Sequence, residues 1–217
     1  MRQTFIAMGI CCAIGISTLA CQDKSKDYTD PTLPVSERVS SLMSQMTLEE
    51  KVAQMCQYVG LEHMKKAEKD MSAEDLKHSH SQGFYPNLHS SDVEEMTKKG
   101  LISSFLHVVK AEEANYLQSL AQQSRLKIPL LIGIDAIHGN GLYRGSTIYP
   151  TPIGQAATFD PALVERMSRE TAIEMRASGM HWTFTPNVEV ARDARWGRVG
   201  ETFGEDPYLV GQMGAAT

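Results

Sequence analysis

Cysteine, aromatic side chains and clustered positive charge are all scarce in this sequence of 217 residues. Three of its four cysteines stand at or before Cys21, so the remainder of the chain cannot build a disulfide framework or a four-cysteine zinc site. The formal net charge is -5, and the absence of a Lys/Arg cluster argues against a nucleic-acid-binding protein. No apolar run reaches the ~20 residues that span a bilayer. The composition that remains, with 42% hydrophobic and 22% charged residues, is typical of a globular protein.

The first residues predict an export signal and not part of a fold. Arg2 precedes an apolar stretch at 5–16, which has the length of a signal-peptide core. The small residue directly before Cys21 resembles a bacterial lipoprotein cleavage site, and a plain secretory signal is the alternative. We therefore expect a signal peptide at 1–20, then a lipidated Cys21 and a polar tether at 21–34. This interpretation makes the protein an exported lipoprotein, periplasmic or held at the outer membrane.

From residue 35 onward, segments that favour helices and strands alternate. Thr47 and Glu50 have the spacing of a helix capping box, and Val52 and Met55 are expected on the apolar side of the helix that follows. The other predicted elements are a helix within 36–46, strands at 101–109, 129–134 and 180–184, and helices at 111–125 and 161–178. This alternation implies a parallel sheet wrapped by helices.

The polar segment 60–91 is the part of the chain that is rich in histidine. It contains His63, His78, His80 and His89. Imidazole is a good zinc ligand, but their spacing matches no standard structural site. We interpret the segment as a solvated insertion and expect no metal there.

Two polar clusters follow predicted strands, where parallel α/β proteins have their binding sites. The first is Asp135, directly after the strand at 129–134. In the second, at 186–207, Arg, Asp and Glu alternate with Trp196 and Phe203. Carboxylates accept hydroxyl protons, arginine donates in a fixed fork and an aromatic face takes C–H groups, so the pattern suits a sugar. An ion-paired loop that only braces the sheet is the alternative that these residues leave open.

Three ordered motifs resemble the N-terminal barrel domain of family 3 glycoside hydrolases. They are IGIDAIHG, YPTPIGQAATFDPALVERMSRETAIEMRASG and RDARWGRVGETFGEDPYLVG, and the earlier MTLEEKVAQM is also typical of that domain. The resemblance implies an α/β fold at 35–217, in the form of an incomplete (β/α)8 TIM-type barrel of parallel strands. It also implies an exo-acting, retaining β-glucosidase that uses no metal or organic cofactor.

By their positions in these motifs, the resemblance assigns Asp135 and Arg198 to the binding of the non-reducing-end sugar in subsite -1. Glu201 is then a nearby support that orients Arg198. A structural ion-pair network is expected for the remaining charged residues of the cluster, which are Arg192, Asp193 and Arg195. The expected partners are a β-linked oligosaccharide or glucoside and, through Cys21, a membrane.

The catalytic pair of the family is not found in this sequence. A retaining mechanism needs one carboxylate as nucleophile and a second as acid/base. The Ser-Asp-aromatic motif that carries the nucleophile in this family does not occur, and no Lys-His pair follows the Trp-Gly-Arg stretch. We therefore expect an N-terminal fragment of a longer enzyme that is inactive by itself. A β-xylosidase of the same family and a non-catalytic sugar-binding lipoprotein are the alternatives.

Overall fold

The computed structural model describes residues 27–72, 74, 85 and 87–217. The predicted signal peptide and the proposed lipidation site Cys21 lie outside these ranges, as do two of the four histidines of the polar segment. Within the described ranges, none of the helices combines the length and the apolar character needed to cross a membrane.

The chain divides into two compact units, of which the first ends at Gln45. Its described residues contain helix α1 (Val35–Gln45). The Nε–H of Arg38 donates to the carbonyl oxygen of Tyr28 at 2.8 Å, and the backbone N–H of Thr32 donates to Asp30 Oδ1 at 2.9 Å. The end of the predicted tether is therefore folded into local turns that are fastened to α1.

The second unit runs from Met46 to Thr217 and is built on parallel strands. Within the described residues, these are β1 (Gln57–Val59), β2 (Ser104–Leu106), β3 (Leu131–Ile134) and β4 (Trp182–Thr183), side by side in chain order. The helices of this unit are α2 (Leu48–Ala53), α3 (Leu61–Asp70), α4 (Ser90–Lys98), α5 (Ala111–Ala121), α6 (Pro152–Ala156), α7 (Pro161–Ala177) and α8 (Pro207–Ala216). The predicted parallel α/β fold is confirmed.

Helices cover one face of the sheet and form the main core there. Phe105, Ile132 and Ile134 are fully buried and pack with apolar side chains of α5, among them Leu117. Burial of each such side chain stabilises the fold by about 1.5–3 kcal/mol. Side chains alternate along a strand, so Leu131 points to the other face, where it is 53% exposed.

Two expectations for the start of this unit need correction. The Thr47 capping box is present, with Thr47 Oγ1 accepting from the Glu50 N–H and the Glu50 carboxylate accepting from the Thr47 N–H. Helix α2 nevertheless ends at Ala53, so Met55 lies beyond it and is 79% exposed instead of buried. The solvated insertion predicted at 60–91 is wrong for α3, because two apolar residues one turn apart bury that helix against the core.

The strands are shorter than the apolar runs that predict them. Of 101–109, only Ser104–Leu106 is strand, because His107 has a φ of 55° and turns the backbone out of the extended conformation. Of 180–184, only Trp182–Thr183 is strand. Strand β1 was not expected at all from the sequence. The short strands leave more of the chain in the loops at the carboxyl edge of the sheet.

Candidate functional site

Polar side chains from the loops after three successive strands lie at the carboxyl edge of the sheet. His107 follows β2 directly, Asp135 follows β3 directly, and Arg198 and Glu201 lie in the segment after β4. Parallel strands end at the same edge of a sheet, so these loops are neighbours. Asp135 is close enough to Arg198 for its negative charge to contribute to the raised pKa of the guanidinium.

Asp135 is held by a histidine. Its Oδ2 lies 2.7 Å from His107 Nε2, which is the distance of a charge-assisted hydrogen bond. The Asp135 side chain is 40% exposed, so the paired carboxylate still faces solvent. The chain bends immediately after it, where the backbone N–H of Ala136 donates to the carbonyl oxygen of Ile134 at 3.1 Å. The bend lets the carboxylate stand at the very end of β3.

Arg198 is paired with Glu201 across one turn of 3-10 helix. Arg198 Nη2 lies 2.6 Å from Glu201 Oε2, and the Nε–H donates to the same oxygen at 3.1 Å. The Asn187 amide also donates to Glu201 Oε2, at 3.1 Å. The Arg198 hydrogen bond is the main cause that lowers the pKa of Glu201, and the Glu201 hydrogen bond is the main cause that raises the pKa of Arg198. Glu201 therefore stays ionised and fixes the direction of the Arg198 side chain.

The segment that carries this pair is closed on itself by hydrogen bonds. Asn187 and Thr202 form a parallel bridge, and the Thr202 hydroxyl donates to the carbonyl oxygen of Glu189. The backbone N–H of Ala191 donates to the carbonyl oxygen of Gly204 at 2.9 Å. These contacts join the two ends of the segment, so Arg198 and Glu201 are presented on a braced loop.

The remaining charges of this segment make a local pair of their own. Asp193 accepts from the backbone N–H of Arg195 at 2.9 Å and from its guanidinium. The pair starts a turn of 3-10 helix at Ala194–Trp196 and is exposed. Arg192 is exposed and is not part of this pair. The structural role expected for Asp193 and Arg195 fits this geometry.

Of the two aromatic side chains that the sequence suggests for the sugar, Phe203 is buried and Trp196 is 38% exposed. Phe203 is buried between α6, α7 and α8, so the expectation that it faces a sugar is wrong. Phe184 lies instead across Gly133, where an added Cβ would meet its ring at 2.8 Å. Gly133 and Asp135 are two residues apart and lie on the same side of the chain at β3. The ring of Phe184, which is tilted against Trp182 with centroids 4.7 Å apart, therefore lies on the Gly133 side of β3.

The two ends of the loop after Asp135 are joined by two hydrogen bonds between His138 and Tyr149. The backbone N–H of Tyr149 donates to the carbonyl oxygen of His138 at 2.8 Å, and His138 Nδ1 lies 3.0 Å from the Tyr149 carbonyl oxygen. A cavity of about 90 Å³ lies between this loop and α7, and Asp135 does not line it. Within the described residues, no group of three or more His, Cys, Asp and Glu side chains is arranged to hold a metal ion.

Three side chains of this edge are not identified by reasoning from the sequence. His107 stands inside the apolar run 101–109, so the sequence assigns it to the predicted strand. A polar residue near the end of such a run could have indicated that the strand ends there and that the residue belongs to a site. Phe184 is likewise taken as a strand residue. Asn187 lies three residues after Phe184. Its sequence context does not indicate a role, which becomes visible only because its amide donates to Glu201 in the structure.

In parallel α/β proteins, small-molecule sites lie at the carboxyl edge of the sheet, and here that edge carries a carboxylate and a braced arginine. The Glycosyl hydrolase family 3 N terminal domain matches residues 47–217. The chain belongs to this family.

Curated relatives include β-xylosidases and β-glucosidases. A beta-xylosidase of Formosa agariphila is 39% identical over 134 residues, which are 58% of this chain and 18% of that protein. A periplasmic beta-glucosidase of Salmonella typhimurium is 29% identical over 211 residues, which are 94% of this chain and 24% of that protein. The chain thus spans about a fifth to a quarter of the length of these relatives.

Solved structures of the same family have the same fold. The crystal structure of a beta-glucosidase from Listeria innocua matches with a TM-score of 0.65 and 34% identity, over 83% of this chain and 23% of that one. A beta-glucosidase from the same organism has been solved in complex with laminaribiose. The expectation of an incomplete α/β barrel is confirmed by these neighbours.

Proposed function

We propose that the chain is the sugar-holding part of an exo-acting β-glucosidase, which removes terminal β-D-glucosyl residues from the non-reducing end of its substrate. The observation that supports this best is that an exposed carboxylate, Asp135, and an arginine held by Glu201 both lie at the carboxyl edge of a family 3 domain. The names of the relatives point the same way, since they are β-glucosidases and β-xylosidases.

Each proposed sugar contact follows from the chemistry of its side chain. The Asp135 carboxylate accepts hydrogen bonds from sugar hydroxyls, and Arg198 donates to hydroxyl oxygens of the same ring. Glu201 orients the Arg198 guanidinium, because its Oε2 accepts hydrogen bonds from two of the guanidinium nitrogens. Phe184 offers an apolar plane to the C–H side of the sugar. Together these residues form subsite -1 in our proposal.

The chemical step in this proposal is retaining hydrolysis. One carboxylate attacks the anomeric carbon and displaces the leaving oxygen, which a second carboxylic acid protonates; water then releases the sugar from the covalent intermediate. We assign neither carboxylate to this chain, because Asp135 and Glu201 are committed to binding and support. Residues 47–217 by themselves should therefore not hydrolyse an aryl β-glucoside, and turnover by the purified chain would contradict this part of the proposal.

Substitution of Asp135 by Asn in the full-length enzyme is the direct test of the site. The amide keeps the shape of the carboxylate but loses its charge, and one charge-assisted hydrogen bond contributes about 1.5–3 kcal/mol. We expect kcat/KM for an aryl β-glucoside to fall by at least about tenfold, since each 1.4 kcal/mol corresponds to a factor of ten. Asp193→Asn is the matched control and should leave kcat/KM unchanged, because Asp193 pairs only with its own loop. Equal effects of the two substitutions would refute the assignment.

A β-xylosidase and a non-catalytic sugar-binding lipoprotein are the competing functions. Comparison of kcat/KM for aryl β-glucoside and aryl β-xyloside on the full-length protein separates the two enzymes. Binding of glucose measured by calorimetry, without turnover of either substrate, identifies the binding protein.

Export and lipid attachment complete the proposal. The periplasmic name of a relative and the apolar N-terminal stretch at 5–16 both support export. Incorporation of labelled fatty acid in bacteria, with Cys21→Ser as the control, tests the anchor. A label that persists in the Ser variant, or is absent from the wild type, refutes lipidation at Cys21.

A further inference from the structure

His107 has an unusual backbone conformation directly beside Asp135. Its φ of 55° lies in the left-handed region that non-glycine residues seldom adopt. Its backbone N–H donates to the carbonyl oxygen of Gly133 at 3.0 Å, and the N–H of Gly60 donates to the carbonyl oxygen of Leu106 at 2.9 Å. Bonds to both neighbouring strands therefore fix this turn. A strained residue that its surroundings hold so firmly is a reason to look for a function.

The turn directs the imidazole along the edge of the sheet, towards the carboxylate. His107 Nε2 and Asp135 Oδ2 are 2.7 Å apart, and the two side chains are 22% and 40% exposed. The structure gives the Asp135 carboxylate no second hydrogen-bonding side chain among the described residues. The imidazole thus occupies Oδ2 of a side chain that is 40% exposed.

We propose that His107 is a positioning residue for sugar binding, and that it acts through Asp135. This inference rests on the proposed function, in which Asp135 accepts hydroxyl hydrogens. The Nε2–H of His107 donates to Oδ2, which fixes the plane of the carboxylate and turns Oδ1 towards the sugar. A carboxylate held in this way loses less rotational freedom when the sugar binds, so its hydrogen bond contributes more to affinity.

A purely structural role does not account for the side chain. The backbone N–H of His107 already joins β2 to β3 through Gly133, so the sheet does not need the imidazole for this connection. The contact of the imidazole is with Asp135, at the exposed end of β3. A leucine of similar volume would fill the same space without directing the carboxylate.

The test uses three variants of the full-length enzyme. His107→Asn keeps a residue type that tolerates positive φ but is too short to reach Oδ2. His107→Leu removes the donor, and His107→Gln carries an amide N–H at about the distance of Nε2. We expect KM for an aryl β-glucoside to rise about tenfold in the Asn and Leu variants, equivalent to about 1.4 kcal/mol, with a much smaller change in kcat. The Gln variant should recover most of this loss.

The second arm of the test combines His107→Asn with Asp135→Asn. If His107 acts through Asp135, its substitution has no further effect once the carboxylate is gone. Additive losses overturn the proposal, as do unchanged KM values in the Asn and Leu variants or a Gln variant that is as impaired as Leu. If Asp135→Asn alone leaves kcat/KM at the wild-type value, the proposed function fails instead.

Two further measurements test the role of His107 where KM cannot be measured or where the variants do not fold. For a protein that binds sugar without turnover, the dissociation constant of glucose replaces KM, with the same expected ratios. If the variants do not fold, nitrogen NMR of the imidazole in the wild-type protein decides. Hydrogen on Nε2 supports the proposal, and hydrogen on Nδ1 alone overturns it.

Discussion

Gly139 and Gly145 lie in the loop that follows Asp135. Substitution of each by alanine compares a site that has both a steric clash and an unfavourable φ with a site that has only the unfavourable φ. Their φ angles are 98° and 100°, so alanine at either position adopts a conformation that costs about 1–2 kcal/mol. Around Gly145 there is no heavy atom within 4 Å of an added Cβ. At Gly139 the added Cβ would lie 2.2 Å from the carbonyl oxygen of Thr147. This distance is shorter than real Cβ contacts.

The clash at Gly139 cannot be relieved by a small shift of a side chain. Thr147 is two residues from Tyr149, whose backbone is hydrogen-bonded to His138 in both directions. Relief of the clash therefore requires the backbone segments around Gly139 and Thr147 to move apart. An overpacked site of this kind costs about 1–3 kcal/mol, in addition to the backbone strain that both variants share.

We expect Gly139→Ala to be less stable than Gly145→Ala by about 2 kcal/mol. For a domain of 150–250 residues this difference lowers the midpoint of thermal unfolding by about 4–8 °C. Circular dichroism during heating of the two purified variants measures it, with the wild-type protein in the same buffer. KM should also rise in Gly139→Ala, because the loop begins at Asp135. Equal midpoints for the two variants would show that the loop relaxes freely, and the steric argument would be wrong.

Three smaller perturbations test the scaffold. Thr47→Ala removes the capping box and should cost about 1 kcal/mol in urea unfolding, whereas Thr47→Ser should cost much less; equal losses would show that the cap is irrelevant. Ile132→Ala should cost about 2–5 kcal/mol and Ile132→Val about 0.5–1.5, because the side chain is fully buried; a smaller loss in Ala would contradict its place in the core. Burial raises the pKa of Glu113, so the stability that this group contributes is complete below the ordinary glutamate pKa and is lost as the pH rises through the raised value. The free energy of unfolding of the wild type minus that of Glu113→Gln should therefore fall from acid to neutral pH, and a rise would refute the sign.

The sequence predicts well those elements whose ends are chemically marked. Asp160 caps α7 and Pro161 is its first residue, and the helix ends at Ala177, within one residue of the prediction. The capping box of α2 is equally local, because Thr47 and Glu50 satisfy each other's backbone without help from distant residues. Local signals of this kind do not depend on the rest of the fold.

Elements that depend on distant partners are poorly predicted. Tyr58 and Val59 favour a strand, but a run of three residues is too short to predict one, and β1 exists because it pairs with β2. Helix α3 begins where the buried carboxylate of Glu113 accepts the backbone N–H of Glu62 at 2.9 Å, fifty-one positions away in the sequence. Neither contact leaves a trace in the local composition.

The candidate site divides in the same way. Asp135 is identified from the sequence because it directly follows an apolar run, and Arg198 and Glu201 because they stand in a specific motif. His107 is not, since its left-handed turn is set by hydrogen bonds with other strands. Whether these side chains bind a sugar stays a prediction.

The order of the strands bears on how the protein is made. Each described strand pairs with the one before it in the chain, from β1 to β4. A ribosome releases the N-terminal segments first, so every strand that emerges finds its template already present. Among the strands that the structure describes, none has to wait for a partner that is synthesised later. Nascent chains stalled at lengths that expose β2, then β3 and then β4 outside the ribosome should therefore acquire protease resistance in three steps, one for each strand added to the growing sheet.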